Sequence, residues 1–92
     1  ALAIRIKGIR GPASYSSGGF PVTLGRYQSI ASGSGRMVGV LVTSSTPYLA
    51  QAVSNSANVV TVRLWDSRSG NIEVPGATDV STMQMAMIYE GV

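Results

Sequence analysis

Hydrophobic and polar residues alternate with a period of two through much of the chain. The clearest run covers 59–65, where three aliphatic residues alternate with Thr61, Arg63 and Trp65. This pattern is typical of a strand with one face in a core and the other towards the surface. Gly and β-branched residues interrupt every window long enough for three helical turns, so the pattern predicts strands rather than helices.

The N-terminal run, 2–9, shows the same alternation. Leu2, Ile4 and Ile6 fall on one face, whereas Arg5 and Lys7 fall on the other. The run predicts a half-buried strand, and it is equally suited to an N-terminal arm laid along a neighbouring chain. The Gly-Pro pair that follows Arg10 ends this segment.

The other predicted elements are short and are separated by turn-forming residues. We expect strands at 20–24, 37–43, 48–53, 72–74 and 83–89, although 48–53 would also tolerate a helical turn. We expect a strand or a single turn at 26–30 and the start of a last element at 79–82. We expect turns or loops at 14–19, 44–47, 54–58, 66–71 and 75–76, and the most flexible stretch at 31–35.

Seven to eight short strands with turns every eight to twelve residues are typical of an all-β sandwich or barrel. We therefore predict a compact, antiparallel, jelly-roll-like β domain that spans 1–92, with 1–10 as an N-terminal arm or an edge strand. Pro21 favours an edge position for its strand, because proline cannot donate to a ladder. In the closing strand, Met83, Met85, Met87 and Tyr89 share one face. We expect the methionines of this face in the core, and an adaptable contact face between subunits is the alternative.

Charged residues make up only 12% of the 92 residues, about half the usual share of ~25%. Lys7 is the single lysine, and Glu73 and Glu90 are the only glutamates. Surfaces poor in Lys and Glu are typical of chains that contact other chains. The composition therefore favours a component of an assembly, and the alternative is a monomer with a neutral polar surface.

The composition also excludes several chemistries. The chain has no Cys and no His, which removes disulfides, thiolate metal sites, Ser–His pairs and ordinary zinc enzyme sites. No apolar run approaches the ~20 residues of a membrane-spanning helix, and no secretory signal is visible. We expect no enzymatic activity, no cofactor, no metal and no membrane association.

Seven basic and four acidic residues give a net charge of +3. The arginines are spread along the chain, whereas a nucleic-acid site concentrates charge and adds exposed aromatic rings. We therefore do not expect direct nucleic-acid binding. Because Arg is favoured in protein interfaces, where it pairs with carboxylates, the charge indicates a weakly basic face for a more acidic partner.

The acidic and aromatic residues have structural interpretations as well as functional ones. Asp66 and Glu73 flank one loop, but a chain of this size has little room for a glycosidase cleft. We expect Asp66 to cap a turn and Glu73 to pair with an arginine. Trp65 lies beside Arg63 on its strand face, which suits an interface anchor or a sugar-stacking residue, and core packing is equally compatible.

Two parts of the chain resemble a known family. One is 14–24, in which 15–24 contain an aromatic residue, a Gly-Gly pair, a proline and Thr-Leu. The other is 59–91, with a strand, the Glu-Val-Pro turn at 73–75, the Asp-Val-Ser triplet at 79–81 and a strand that ends in glycine. Both parts are similar to small virion proteins of tailed bacteriophages, the capsid decoration or cement proteins. The sequence departs from that pattern in its central Gly-Ser stretch and its low acidic content.

The resemblance implies a structural virion protein on the capsid exterior, which binds the outer surface of the major capsid protein shell as a homotrimer and stabilises it against internal DNA pressure. A phage tail or fibre module, or a small carbohydrate-binding module, is the alternative. We expect the N-terminal strand to dock by strand addition. The interface candidates are Leu2, Ile4, Arg5, Ile6, Lys7, Arg10, Arg63, Trp65 and Arg68.

Overall fold

Alternating side chains build strands over more than half of the described chain. The computed structural model describes residues 3–23, 38–56, 59–70 and 72–91. Within these ranges a 3-10 turn, Ser67–Ser69, accompanies seven strands. The strands are β1 (Ala3–Arg10), β2 (Phe20–Thr23), β3 (Val38–Val42), β4 (Tyr48–Ser56), β5 (Val59–Asp66), β6 (Ile72–Glu73) and β7 (Gln84–Gly91).

The strands form two antiparallel sheets. Sheet A has the order β1-β7-β3, and its central strand β7 pairs Ile88 with both Ile6 and Gly39. In sheet B, β5 pairs with β4 along one side and with β2 and then β6 along the other. The predicted all-β sandwich of antiparallel strands is confirmed, and β2, which holds Pro21, pairs with β5 alone among the described strands.

The core lies between the two sheets. Its buried residues include the aliphatic face of β5 and the predicted Met and Tyr face of β7, so both predictions are confirmed. Among the described residues, the core consists of Tyr15, Phe20, Val22, Val60, Val62, Leu64, Val74, Val80, Met83, Met85, Met87 and Tyr89.

The N-terminal strand is present, but its predicted buried face is wrong. Ile4 and Ile6 are 66% and 72% exposed, whereas Arg5 and Lys7 are half-buried. The register with β7 explains this, because Arg5 and Lys7 lie opposite the core residues Tyr89 and Met87. Ile9 has the same parity as the two basic residues and packs against the core, so it fixes which face of β1 turns inward.

Two other boundaries differ from the prediction. The turn expected at 54–58 is wrong for its first three residues, because β4 continues to Ser56 with a register shift between Ala52 and Ser54. The element expected at 79–82 is a turn, in which the Asp79 carboxylate accepts hydrogen bonds from the Ser81 amide and hydroxyl. Leu2 and the segments predicted at 26–30 and 31–35 lie outside the described residues.

Two glycines permit close contacts that hold the loops on the sandwich. A Cβ at Gly11 would collide with the Val80 carbonyl oxygen, and the Gly11 amide donates to the Met83 carbonyl at 3.0 Å. Gly19 has a φ of +122°, and a Cβ there would lie 2.6 Å from a Thr61 methyl. Both positions therefore require glycine. Within the described ranges, no helix is long and apolar enough to cross a membrane.

Candidate interaction surfaces

The outer face of sheet A is apolar across all three of its strands. Ile4 and Ile6 on β1 and Leu41 on β3, which is 58% exposed, are its large side chains. Between them lie the half-buried residues Ala86 and Ile88 of β7. We call these five residues the sheet A face. Exposed apolar area that is continuous across strands, rather than scattered, is typical of a contact surface.

A shallow depression adjoins the sheet A face. Gly8 and Ala86 are paired across β1 and β7, and they leave this part of the sheet without large side chains. The depression has a volume of about 430 Å³, and Arg10, Thr43 and Gln84 line it towards the end of the sheet. It therefore offers space for one or two side chains of a partner, with polar groups at one end.

The backbone of β1 is unpaired on one side among the described strands. The Gly11 amide donates to the Met83 carbonyl, and the Thr43 amide donates to the Gln84 carbonyl. Continuing these two registers along β7, the odd-numbered residues of β7 form hydrogen bonds with β1 and the even-numbered residues form them with β3. Because hydrogen-bonded and non-hydrogen-bonded pairs alternate in antiparallel sheets, every second residue of β1 directs its amide and carbonyl groups away from β7. These residues are Ile4, Ile6, Gly8 and Arg10.

Two cations lie on the inner side of the same edge. Arg5 and Lys7 are half-buried at the rim of the sandwich, opposite the buried side chains of Tyr89 and Met87. The Nε atom of Arg5 is buried and has no hydrogen-bond partner among the described residues. An unsatisfied buried donor is unfavourable, so a movement of this side chain that brings the guanidinium to an acceptor on another chain would be favoured.

Glu73 is the centre of a polar cluster on sheet B. Its carboxylate accepts hydrogen bonds from the Tyr15 hydroxyl at 2.8 Å, the Gly18 amide at 2.7 Å and the Ser17 hydroxyl at 3.4 Å. Arg63 donates to the two oxygens through Nε at 3.0 Å and Nη2 at 3.2 Å. This cluster ties the 15–18 loop to β5 and β6.

The donors around Glu73 set its ionisation. Hydrogen bonds from Arg63, Gly18 and Tyr15 lower the pKa of Glu73 to about 2, so the carboxylate stays ionised at any ordinary pH. Burial raises the pKa of Tyr15, which keeps its hydroxyl protonated as a donor. A carboxylate held by five donors and kept ionised suits a structural role rather than proton transfer near neutral pH.

Arg63 and Arg68 are both occupied within the chain. The Arg63 guanidinium lies 4.7 Å from the centre of the Trp65 ring and stacks on it while it holds Glu73. Arg68 is exposed, pairs with Asp66 at 3.0 Å and lies 5.7 Å from the Tyr48 ring. The Asp66 carboxylate also accepts from the Arg68 amide, so the expected cap at Asp66 and the expected arginine partner of Glu73 are both confirmed.

The structure divides the interface candidates between two surfaces. Ile4, Arg5, Ile6, Lys7 and Arg10 lie together on β1 in sheet A. Arg63 and Trp65 lie in the last part of β5 in sheet B, Arg68 lies in the 3-10 turn that follows β5, and Leu2 lies outside the described residues. Exposed Leu49, Val53 and Ile72 lie on β4 and β6 of sheet B.

The sequence patterns did not identify Leu41, or Ala86 and Ile88 of β7, as part of an interaction surface. The alternation of 37–43 already placed Leu41 opposite the valine face, and that was the available signal. No local pattern connects Leu41 with Ile4 and Ile6, because only the sheet order brings β1 and β3 to the two sides of β7.

Among residues 3–23, 38–56, 59–70 and 72–91, no three His, Cys, Asp or Glu side chains lie close enough together to hold a metal ion. Comparison with known proteins adds no relative, since no protein-family model, curated protein or solved structure matches this chain.

Proposed function

We propose that the chain is a structural virion protein of the capsid decoration type, which binds the outer surface of a major capsid protein shell and stabilises it. The observation that carries the proposal is the sheet A face, where Ile4, Ile6 and Leu41 are each more than half exposed beside a strand edge that no other described strand pairs with. Binding of a partner protein to such a surface is favourable, because the free energy falls when apolar area is removed from water.

The residues that carry the resemblance to decoration proteins have structural roles in this chain. Gly19 packs closely on β5, Glu73 holds the 15–18 loop, and Asp79 forms the turn before the closing strand. These motifs therefore stabilise a scaffold and perform no visible chemistry. A scaffold fixed by such contacts fits a protein whose task is to hold neighbouring subunits together.

A trimer is part of the proposal and rests on the resemblance. Light scattering coupled to size exclusion tests it: a homotrimer has about three times the 9.5 kDa mass of one chain. A monomer that forms trimers only on shells also agrees with the proposal. A stable dimer in solution and on shells contradicts the threefold arrangement.

The carbohydrate-binding alternative depends on an open aromatic platform. Here Arg63 covers one face of Trp65 at 4.7 Å and is itself held by Glu73. A sugar can stack on that ring face only if the guanidinium leaves both partners. This contact disfavours the carbohydrate-binding alternative, while a tail or fibre module would use the same apolar sheet surface as a capsid component.

Binding to shells tests the proposal. Purified capsid shells of the phage that encodes the chain, stripped of their outer proteins, are mixed with the protein and sedimented. We expect the wild-type chain to sediment with the shells and Ile6→Thr to sediment much less. Leu49→Thr is the matched control, since it removes an exposed aliphatic side chain from sheet B. If the wild-type chain stays in the supernatant, or binds only to purified tails, the decoration role is wrong.

A further inference from the structure

The edge of β1 that no described strand pairs with carries groups that can favour one kind of partner segment over another. Ile4, Ile6, Gly8 and Arg10 present amide and carbonyl groups that no described strand takes up. Such an edge is a template for another extended segment, with main-chain hydrogen bonds for affinity and alternate side chains for selectivity. The side chains on the two faces of β1 therefore indicate what kind of strand fits.

The inner side of this edge requires negative charge. Arg5 and Lys7 lie there half-buried, and the buried Arg5 Nε has no acceptor among the described residues. A carboxylate on an added strand would offset the charge of both half-buried cations, and it would satisfy the Arg5 donor if that side chain turns towards the strand. An apolar or basic side chain at the same place would leave the donor unsatisfied or add repulsion.

The outer side of the edge requires apolar contact. Ile4 and Ile6 are 66% and 72% exposed on this side. Side chains of neighbouring strands on one face of a sheet pack in cross-strand pairs, so aliphatic residues of an added strand would cover these two isoleucines. The two faces of β1 thus call for opposite chemistries.

We propose that the edge of β1 accepts an extended strand of the partner protein in which acidic and apolar side chains alternate. The acidic side chains lie opposite Arg5 and Lys7, and the apolar side chains lie beside Ile4 and Ile6. This inference deepens the proposed function, on which it rests, by naming the chemistry of the partner segment.

A second copy of the chain is the competing occupant, and its charges oppose it. In the two longest antiparallel registers between two β1 edges, Arg5 lies opposite Lys7 of the other copy, or the two Lys7 residues lie opposite each other. Like charges directly opposite each other destabilise a pair of strands. Each chain also carries a net charge of +3, which adds repulsion.

Synthetic peptides of the same eight-residue length as β1 test the chemistry. One peptide alternates Val with Glu, one alternates Val with Lys, and a third has the composition of the first with all Glu residues before all Val residues. We expect the Val-Glu peptide to bind at least about tenfold more tightly than either of the others in fluorescence anisotropy. Equal binding of the Glu and Lys peptides, or tighter binding of the Lys peptide, overturns the proposal.

Two substitutions at Gly8 test the edge itself. A Cβ at Gly8 meets nothing within 4 Å, and the Gly8 amide points away from β7. Gly8→Pro removes that donor, a change that edge strands tolerate, whereas Gly8→Ala keeps it. We expect Gly8→Pro to bind the Val-Glu peptide at least about tenfold more weakly than Gly8→Ala, which differs from it in keeping the amide donor.

A charge reversal covers the case in which Gly8→Pro does not fold, as judged by circular dichroism. The double variant Arg5→Glu, Lys7→Glu should prefer the Val-Lys peptide over the Val-Glu peptide. An unchanged preference overturns the proposal.

The same variants on capsid shells separate this inference from the proposed function. If wild type does not sediment with shells, the decoration role fails whatever the peptides do. If wild type and Gly8→Pro sediment equally, the role stands and strand addition at β1 is wrong. Clearly weaker sedimentation of Gly8→Pro than of Gly8→Ala supports both. The remaining outcome is a dimer, seen in light scattering, that Gly8→Pro abolishes. That result identifies a second copy of the chain as the occupant of the edge and overturns the proposal of an acidic partner strand.

Discussion

The hydroxyl of Tyr15 accepts a hydrogen bond from the Leu64 amide at 3.0 Å, at the place where the ladder along β5 passes from β2 to β6. The same hydroxyl donates to Glu73 at 2.8 Å. One side chain therefore fills a gap between two short strands and connects the buried backbone to the Glu73 cluster. Because backbone groups without partners are unfavourable in a core, this contact stabilises the edge of sheet B.

Tyr15→Phe should destabilise the fold by about 1–3 kcal/mol, because it leaves the buried Leu64 amide without an acceptor and removes a donor to Glu73. Chemical denaturation measures the free energy of unfolding. Thr82→Val, which removes a hydroxyl from an exposed turn, is the control and should change stability by less than about 0.5 kcal/mol. Equal effects of the two substitutions would show that the Tyr15 hydroxyl contributes nothing.

Glu73 makes stability depend on pH in the acid range. Its pKa is about 2 in the folded chain and near the ordinary glutamate value of 4.5 when unfolded. The contribution of its ionised form is therefore complete above about pH 4.5 and is lost as the pH falls through 2. The free energy of unfolding of wild type should fall more steeply across this window than that of Glu73→Gln.

The comparison isolates Glu73 because other carboxylates behave alike in both proteins. Hydrogen bonds from Arg68 lower the pKa of Asp66, and those from Ser81 lower the pKa of Asp79, so both add acid sensitivity in the same direction. Parallel stability curves for wild type and Glu73→Gln would contradict the role given to the cluster.

Arg63 and Arg68 should respond differently to replacement by lysine. Arg63 bonds to two oxygens of Glu73 and stacks on Trp65, and lysine can reproduce neither contact well. Arg63→Lys should therefore shift the emission of Trp65, the only tryptophan, and lower the denaturation midpoint. The exposed Arg68→Lys is the matched control and should do neither to a comparable extent. An unchanged Trp65 emission in Arg63→Lys would refute the stacking.

Gly11 and Gly8 give a matched pair of glycine substitutions close together in the chain. Gly11→Ala forces the new methyl against the Val80 carbonyl and should destabilise by about 1–3 kcal/mol. Gly8→Ala has open space and should be neutral or stabilising by about 0.4–1 kcal/mol. Thermal unfolding distinguishes the two variants, and equal midpoints would contradict the close approach of Gly11 to the turn.

Period-two alternation predicted the strands and the core faces wherever a strand lies inside a sheet. The buried face of β5 and the Met85 and Met87 face of β7 follow directly from parity, because both strands have neighbours on each side. For the edge strand β1 the same rule pointed to the wrong face. In β1, the packing of Ile9 against the core and the register with β7 determine which face of the strand turns inward. The larger number of apolar residues on the face of Ile4 and Ile6 does not determine it.

The contacts of Glu73 show a second limit of prediction from sequence patterns. An arginine partner was predictable from charge, and Arg63 lies within the same hairpin. The bonds from Tyr15 and Gly18, however, join residues that are 58 and 55 positions apart in the chain. No local period or spacing encodes such contacts, since they depend on how β2 and β6 share one side of β5.

The central claim is that the β1 edge and the sheet A face are covered by another protein. Amide hydrogen exchange of β1, measured with and without capsid shells, tests it most directly. In the free chain, the amides of Ile4, Ile6 and Gly8 should exchange quickly, while those of Arg5 and Lys7, which bond to β7, should be protected. On shells, the first three should become protected. Unchanged exchange at these amides on shells that bind the protein, or new protection confined to β4, would contradict the claim.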